Sequence, residues 1–192
     1  MSQGMTLPVV TFKTRVRNES IGGDNPFRWQ DVSSDELFGS ESNPRRVVLF
    51  SLPGAFTPTC STYQLPGFEK LADDFAAAGI DDIYCMSVND SFVMNKWAQM
   101  CVDGGLNAVK VVPDGSGEFT EKVGMLVDKD NLGFGKRSWR YAAVIKNGVV
   151  EQWFEEPGKS DNHPEDPYGV SSPETVLEYL QKKCGTSEEG RV

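Results

Sequence analysis

The stretch Arg46-Val47-Val48-Leu49-Phe50-Ser51-Leu52-Pro53-Gly54-Ala55-Phe56-Thr57-Pro58-Thr59-Cys60 decides the fold. Its first half is a β-branched, apolar run with no polar alternation, the pattern of a strand buried on both faces. Pro53-Gly54 stops that strand. After Cys60 the apolar period changes to Phe68, Leu71, Ala72 and Phe75, one face of a helix, with Gly79 as its C-terminal cap. Pro66 lies inside this region and is expected to kink the helix or split off its first turn. The cysteine therefore sits where a buried strand hands over to a helix.

Working outward, residues 83–88 and 109–112 read as further buried strands. Between them, Asn89 or Asp90 caps a helix with Val93, Trp97, Met100 and Cys101 on one face. Residues 118–124 suggest a short helix. Strands 140–146 and 149–154 flank Asn147-Gly148, a strong hairpin signal. Residues 155–172 form a polar loop. Ser171 or Ser172 then caps a last helix, with Pro173 in its first turn and Glu174 placed to close a capping box with Ser171. Residues 18–44 read as turns around a short β element at 27–29. Strand–helix–strand–helix–strand followed by a hairpin and a helix gives an α/β fold: a central mixed sheet flanked by helices, parallel before the hairpin and antiparallel in it. One domain over 1–184 and a flexible tail over 185–192 are expected.

The chain has 192 residues and a formal net charge of −9. So acidic a balance argues against nucleic-acid and anionic-membrane partners, which select basic surfaces. Its apolar runs, Val47 to Phe50 among them, are far too short to span a bilayer. Residues 1–6 have neither the basic nor the apolar region of a secretory signal. The four cysteines, Cys60, Cys85, Cys101 and Cys184, include no CxxC pair. Together these features predict a reducing, cytoplasmic setting. Of the other cysteines, Cys101 reads as packing and Cys184 as an incidental exposed thiol. The one histidine, His163, reads as a solvated loop residue, and no ligand set for a metal accompanies it.

A cysteine in the first turn of a helix faces unpaired backbone N–H groups and the positive end of the macrodipole. Both favour the thiolate, which is the nucleophilic form. The Thr57 hydroxyl, three residues ahead, can donate and accept hydrogen bonds. Pro53 shapes and shields the turn.

Pro53-Gly54-Ala55-Phe56-Thr57-Pro58-Thr59-Cys60-Ser61 resembles the active-site motif of the peroxiredoxins, thiol peroxidases on a thioredoxin-like fold, and specifically their type II branch, also termed atypical two-cysteine or glutaredoxin-dependent. The segments 87–94, 113–115 and 137–141 carry the same likeness in the same order, so that it covers about residues 6–182. The resemblance implies that Cys60 is the peroxidatic nucleophile, that Pro53 and Thr57 are its motif partners, that Arg140 is the active-site arginine and that Arg137 supports it. It implies reduction of hydrogen peroxide and alkyl hydroperoxides with no bound cofactor. A thiol reductant, glutathione with glutaredoxin or else thioredoxin, would serve as co-substrate, and the chain would act as a homodimer joined through the faces flanking the active site. Cys85, 25 residues after Cys60, has the spacing of the second cysteine in plant-like members and is the candidate resolving thiol. Animal-like members carry theirs in the loop before the last helix, where this chain has none, which tilts the expectation toward glutaredoxin; resolution by Cys85 and a one-cysteine cycle both stay open. Phe134 is expected near the peroxide pocket. A redox sensor, in which oxidation of Cys60 alters a partner contact, is the alternative reading. A disulfide reductase is disfavoured, because Thr57 stands where the first cysteine of a CxxC would be.

Overall fold

The computed structural model describes residues 1–186, with side chains to residue 183. In chain order the elements are β1 (Thr11–Arg17), β2 (Phe27–Ser33), α1 (Ser34–Phe38) and β3 (Arg46–Ser51). A π-helical turn, Cys60–Gln64, leads into α2 (Leu65–Lys70) and α3 (Ala72–Ala77). There follow β4 (Asp82–Ser87), α4 (Ser91–Met100), β5 (Val109–Pro113) and α5 (Glu118–Lys122). The chain continues through β6 (Leu126–Asp128), β7 (Lys136–Ser138), β8 (Tyr141–Lys146), β9 (Val149–Glu155) and α6 (Pro173–Thr186). The tail expected from 185 thus begins inside the end of α6; residues 187–192 and the Cys184 side chain lie outside the described residues.

The central sheet has the order β5-β4-β3-β8-β9. Strands β3, β4 and β5 are parallel, whereas β8 pairs antiparallel with β3 and with β9. The hairpin turns at Asn147 and Gly148, both at positive φ (53° and 76°), the geometry that an Asn-Gly pair accommodates. Strand β3 explains its own sequence. Val47 and Leu49 point into one core, with Tyr84, Met86, Tyr141, Ala143, Phe12 and Phe38. Val48, Phe50 and Leu52 point into the other, with Phe68, Phe75, Cys85, Trp97, Val144 and Val176. Helices α2, α3, α4 and α6 cover this second face, where Cys60 also lies. The β1–β2 hairpin, α1 and α5 cover the first.

Four local expectations are corrected. The 27–29 element is one arm of the longer β1–β2 hairpin, whose strands are half exposed and polar and so carry little apolar periodicity. On α4 the buried face is Met94 with Trp97, while Met100 is exposed. The short strands β6 and β7, three residues each, were not expected. Ser172, not Ser171, caps α6, through Thr175 N–H; the Ser171 hydroxyl is taken by the buried Glu156 carboxylate at 2.7 Å, so the expected capping box does not form.

Candidate active site

Pro66 sets the local geometry. It has no N–H to continue an α-helical ladder, and the turn before it widens: Leu65 N–H bonds back to Cys60 O rather than to Ser61. Cys60 and Gln64, four residues apart, face the same side of this turn, and both are fully buried. Ser61 fixes the turn from outside by accepting from Trp97 Nε1 at 3.0 Å.

Arg140, at the residue before β8, reaches into this corner and is 1% exposed. Its Nη1 points to Cys60 Sγ at 3.5 Å and also donates to Gln64 Oε1. Its Nε donates to Pro167 O at 3.1 Å, and its Nη2 donates to both carboxylate oxygens of Asp166 at 2.6 and 2.7 Å. The guanidinium also lies over the Tyr168 ring, 5.6 Å from its centroid. Burial alone would lower the Arg140 pKa. The negative charges of Cys60 and Asp166 outweigh it and raise the pKa, so the cation is firmly held.

The turn between β3 and Cys60 places the other expected residues. Pro53 is buried, and its carbonyl accepts from Arg137 Nη1 at 3.4 Å. Arg137 is half-buried, stacks 5.5 Å from the centroid of Phe134 and donates to Phe134 O; burial lowers its pKa. Arg137 and Phe134 therefore line the Pro53-Gly54 side of the turn. The Thr57 hydroxyl donates to Gly54 O at 2.7 Å rather than to Cys60. Its single proton is thereby committed, and its lone pairs are left as acceptors. Phe56 is half-exposed and sits at φ 64°, a conformation that costs a non-glycine residue on the order of 1–3 kcal/mol and concentrates at functional turns.

Cys85 is also fully buried, in β4 opposite Phe50 of β3. Burial, and then the charges of Cys60 and Cys101, push its thiol pKa well up. It is a free cysteine, as are Cys60 and Cys101. His163 is less solvated than expected: it packs edge-on against Trp139 at 5.3 Å. Sequence reasoning missed Gln64, Asp166 and Tyr168. A buried amide four residues after the cysteine, just ahead of Pro66, was the available signal for Gln64. Asp166 and Tyr168 gave none, because their role depends on how a long loop returns.

A cysteine buried at a strand-to-helix turn, with an arginine N–H on its sulfur, defines a thiol-based oxidoreductase on a thioredoxin-like sheet. A family model described as Redoxin matches residues 29–168. A peroxiredoxin of Rhizobium etli is 62% identical over 181 residues, covering 94% of this chain and 97% of that protein. An antioxidant protein of Plasmodium falciparum, a 1-Cys peroxiredoxin, superposes with a TM-score of 0.82 at 34% identity, covering 95% of this chain and 99% of that one. The reduced Prx3 of Vibrio vulnificus in complex with hydrogen peroxide superposes with a TM-score of 0.74 at 36% identity, covering 94% of this chain and 96% of that one. The chain belongs to the peroxiredoxins, of the type II kind, and is a thiol peroxidase.

Proposed function

We propose that this chain reduces hydrogen peroxide and small alkyl hydroperoxides in a one-cysteine cycle at Cys60. The observation that carries the reading is the contact of Arg140 Nη1 with Cys60 Sγ, both residues buried. The thiolate attacks one peroxide oxygen. An S–O bond forms and the O–O bond breaks, so the sulfur is oxidised by two electrons to the sulfenic acid. The other oxygen leaves as hydroxide or alkoxide and takes a proton from water. Arg140 sits where negative charge develops on that oxygen, and a preformed cation in a dry site acts without reorganisation. The free lone pairs of Thr57 Oγ1 suit it to accept the O–H of the bound peroxide. That the Vibrio relative holds hydrogen peroxide supports this substrate class.

A second thiol must return the sulfur to its reduced form. Cys85 is a poor candidate: buried and held as the neutral thiol, it lacks the reactive form. The likeness to a 1-Cys peroxiredoxin agrees. An external thiol, glutathione with glutaredoxin in preference to thioredoxin, therefore resolves the sulfenic acid. Because Cys60 is fully buried, this step needs the 60–64 turn to open locally. A homodimer belongs to the same proposal. Ala55 N–H bonds Asn89 Oδ1 at 3.0 Å, and exposed Phe56 and Phe92 follow these two residues, apolar surface on the elements that flank the site.

The test is intact mass after one equivalent of hydrogen peroxide, on wild type and on Cys85→Ser, with and without glutathione. A sulfenic acid that becomes a glutathione adduct in both proteins supports the one-cysteine cycle. A loss of two hydrogens in wild type, absent in Cys85→Ser, makes Cys85 the resolving thiol. No oxidation of Cys60 overturns the site.

A further inference from the structure

The loop between β9 and α6 is anchored at both ends by one buried carboxylate. Glu156 is 2% exposed, and its Oε1 accepts from Gly169 N–H, Ser171 N–H and the Ser171 hydroxyl at 2.7, 2.9 and 2.7 Å. Its backbone is tied in as well: Glu156 N–H bonds Arg140 O and Glu156 O accepts from Trp139 Nε1. A loop closed in this way has little freedom where it passes the active site. There it presents three consecutive residues to one side chain: Asp166, Pro167 and Tyr168 all contact the Arg140 guanidinium.

Electrostatics alone makes Asp166 a poor choice. Its carboxylate shares the charge of Arg140 with the Cys60 thiolate, and a like charge nearby disfavours the thiolate. Orientation gives it a purpose. A guanidinium is a planar fork with five fixed N–H directions. With Nη2 on Asp166 and Nε on Pro167 O, the plane is set, and Nη1 can only face the corner that holds Cys60 and Gln64. Without Asp166, Nη2 loses its partner and the fork can rotate about the bond to Nε.

We propose that Asp166 is a positioning residue of the peroxidase reaction, holding the Arg140 guanidinium turned so that one Nη1 N–H faces the sulfur and the incoming peroxide oxygen. This rests on the reading of Cys60 and Arg140 given above. It extends the site to a loop that the Pro53–Cys60 motif does not contain.

The experiment follows the second-order oxidation of Cys60 by hydrogen peroxide in wild type, Asp166→Asn, Asp166→Ala and Asp166→Glu. In parallel it follows alkylation of Cys60 by iodoacetamide, which needs a thiolate but no oriented arginine. The Asp166 side chain is 41% exposed, so these changes are not core lesions. The expected result is a loss of about tenfold to a hundredfold in peroxide rate for the Asn and Ala variants, the scale of a misplaced catalytic group. Asp166→Glu, which keeps the charge, recovers part of the rate, while alkylation of the Asn and Ala variants stays level or quickens, since a negative charge has gone. Peroxide rates in the Asn and Ala variants that stay within about twofold of wild type, or exceed it, overturn the proposal and leave charge-sharing as the only effect of Asp166. So does alkylation that falls in step with the peroxide rate, because that marks a collapsed site. A wild-type Cys60 inert to peroxide overturns the reading of the site and this role with it. A reactive wild type with equally reactive variants overturns only the role of Asp166.

Discussion

Cys60 and Gln64 stand at the two ends of one π-helical turn and face the same Arg140 nitrogen, Nη1. Residues four apart share one face of a helix, and here the turn between them is widened ahead of Pro66, which cannot donate. Arg140 meets Cys60, Gln64, Asp166 and Pro167 at once, with donors on three nitrogens. An ammonium group has the charge without the fork. Arg140→Lys is therefore expected to lower kcat/KM for hydrogen peroxide by about a hundredfold to a thousandfold, the cost of removing one oriented donor at a developing oxyanion. A steady-state peroxidase assay checks this, and a loss below about tenfold would show that charge alone is sufficient.

Alkaline pH tests both cores through two adjacent residues of β4, Tyr84 in the first and Cys85 in the second. Burial holds the Cys85 thiol above its ordinary value of 9.0 and, with the charge of Asp82, pushes the Tyr84 phenol up to about 12. Both groups are neutral when protonated, and their folded-state values exceed the unfolded ones. Their contribution is then complete below about pH 9 and is lost as pH rises toward the folded values, because the unfolded chain releases those protons first. Chemical denaturation from pH 8 to 11 should show stability falling throughout. Cys85→Ala should flatten the early part of the fall and Tyr84→Phe the later part. A stability independent of pH over this range would contradict the burial of both groups.

On the acid side the test is Glu151 on β9. Burial alone would raise its pKa. Hydrogen bonds and charge from Arg46 on β3 and Lys183 on α6 outweigh that and lower it. Its contribution is present above the ordinary value of 4.5 and is lost as pH falls through the lowered folded value. Glu151→Gln should cost about 1 kcal/mol at pH 7, since solvent screens part of the interaction. It should also make the acid limb of the stability profile shallower. Equal acid limbs in the two proteins would remove Glu151 from the account.

Much of this was legible in the sequence, and the rest was hidden for physical reasons. The period-two split of Val47 and Leu49 from Val48 and Phe50 is written in β3 as an unbroken apolar run, and Asn147-Gly148 specifies its hairpin. Strands β1 and β2 carry no such signal, because their side chains are half exposed and their partner is each other. Of the residues the motif and order single out, Arg140 meets Cys60, and Arg137 meets Pro53 on the turn ahead of it. Thr57 is there too, but with its proton spent on Gly54 O. Asp166 was invisible: a carboxylate in a polar loop looks solvated until Glu156 closes the loop and turns it inward.

Two glycines separate strain from collision. Gly148 and Gly124 have nearly the same positive φ, 76° and 74°. A Cβ at Gly148 would stand 2.7 Å from the Gly39 backbone oxygen, which cannot move without disturbing the end of α1, whereas a Cβ at Gly124 meets nothing within 4 Å. Both substitutions carry the left-handed penalty of about 1–2 kcal/mol. Only Gly148→Ala adds a backbone clash, and it also falls within the β8–β9 turn, directly beside the Gly148 N–H to Phe38 O bond. Gly148→Ala should therefore lower the denaturation midpoint well beyond Gly124→Ala. The rate of Cys60 with peroxide should stay unchanged in both, because neither glycine touches the site. Equal midpoints for the two variants would mean that the turn and α1 yield together, and that the close packing of Gly148 against Gly39 holds little of the fold.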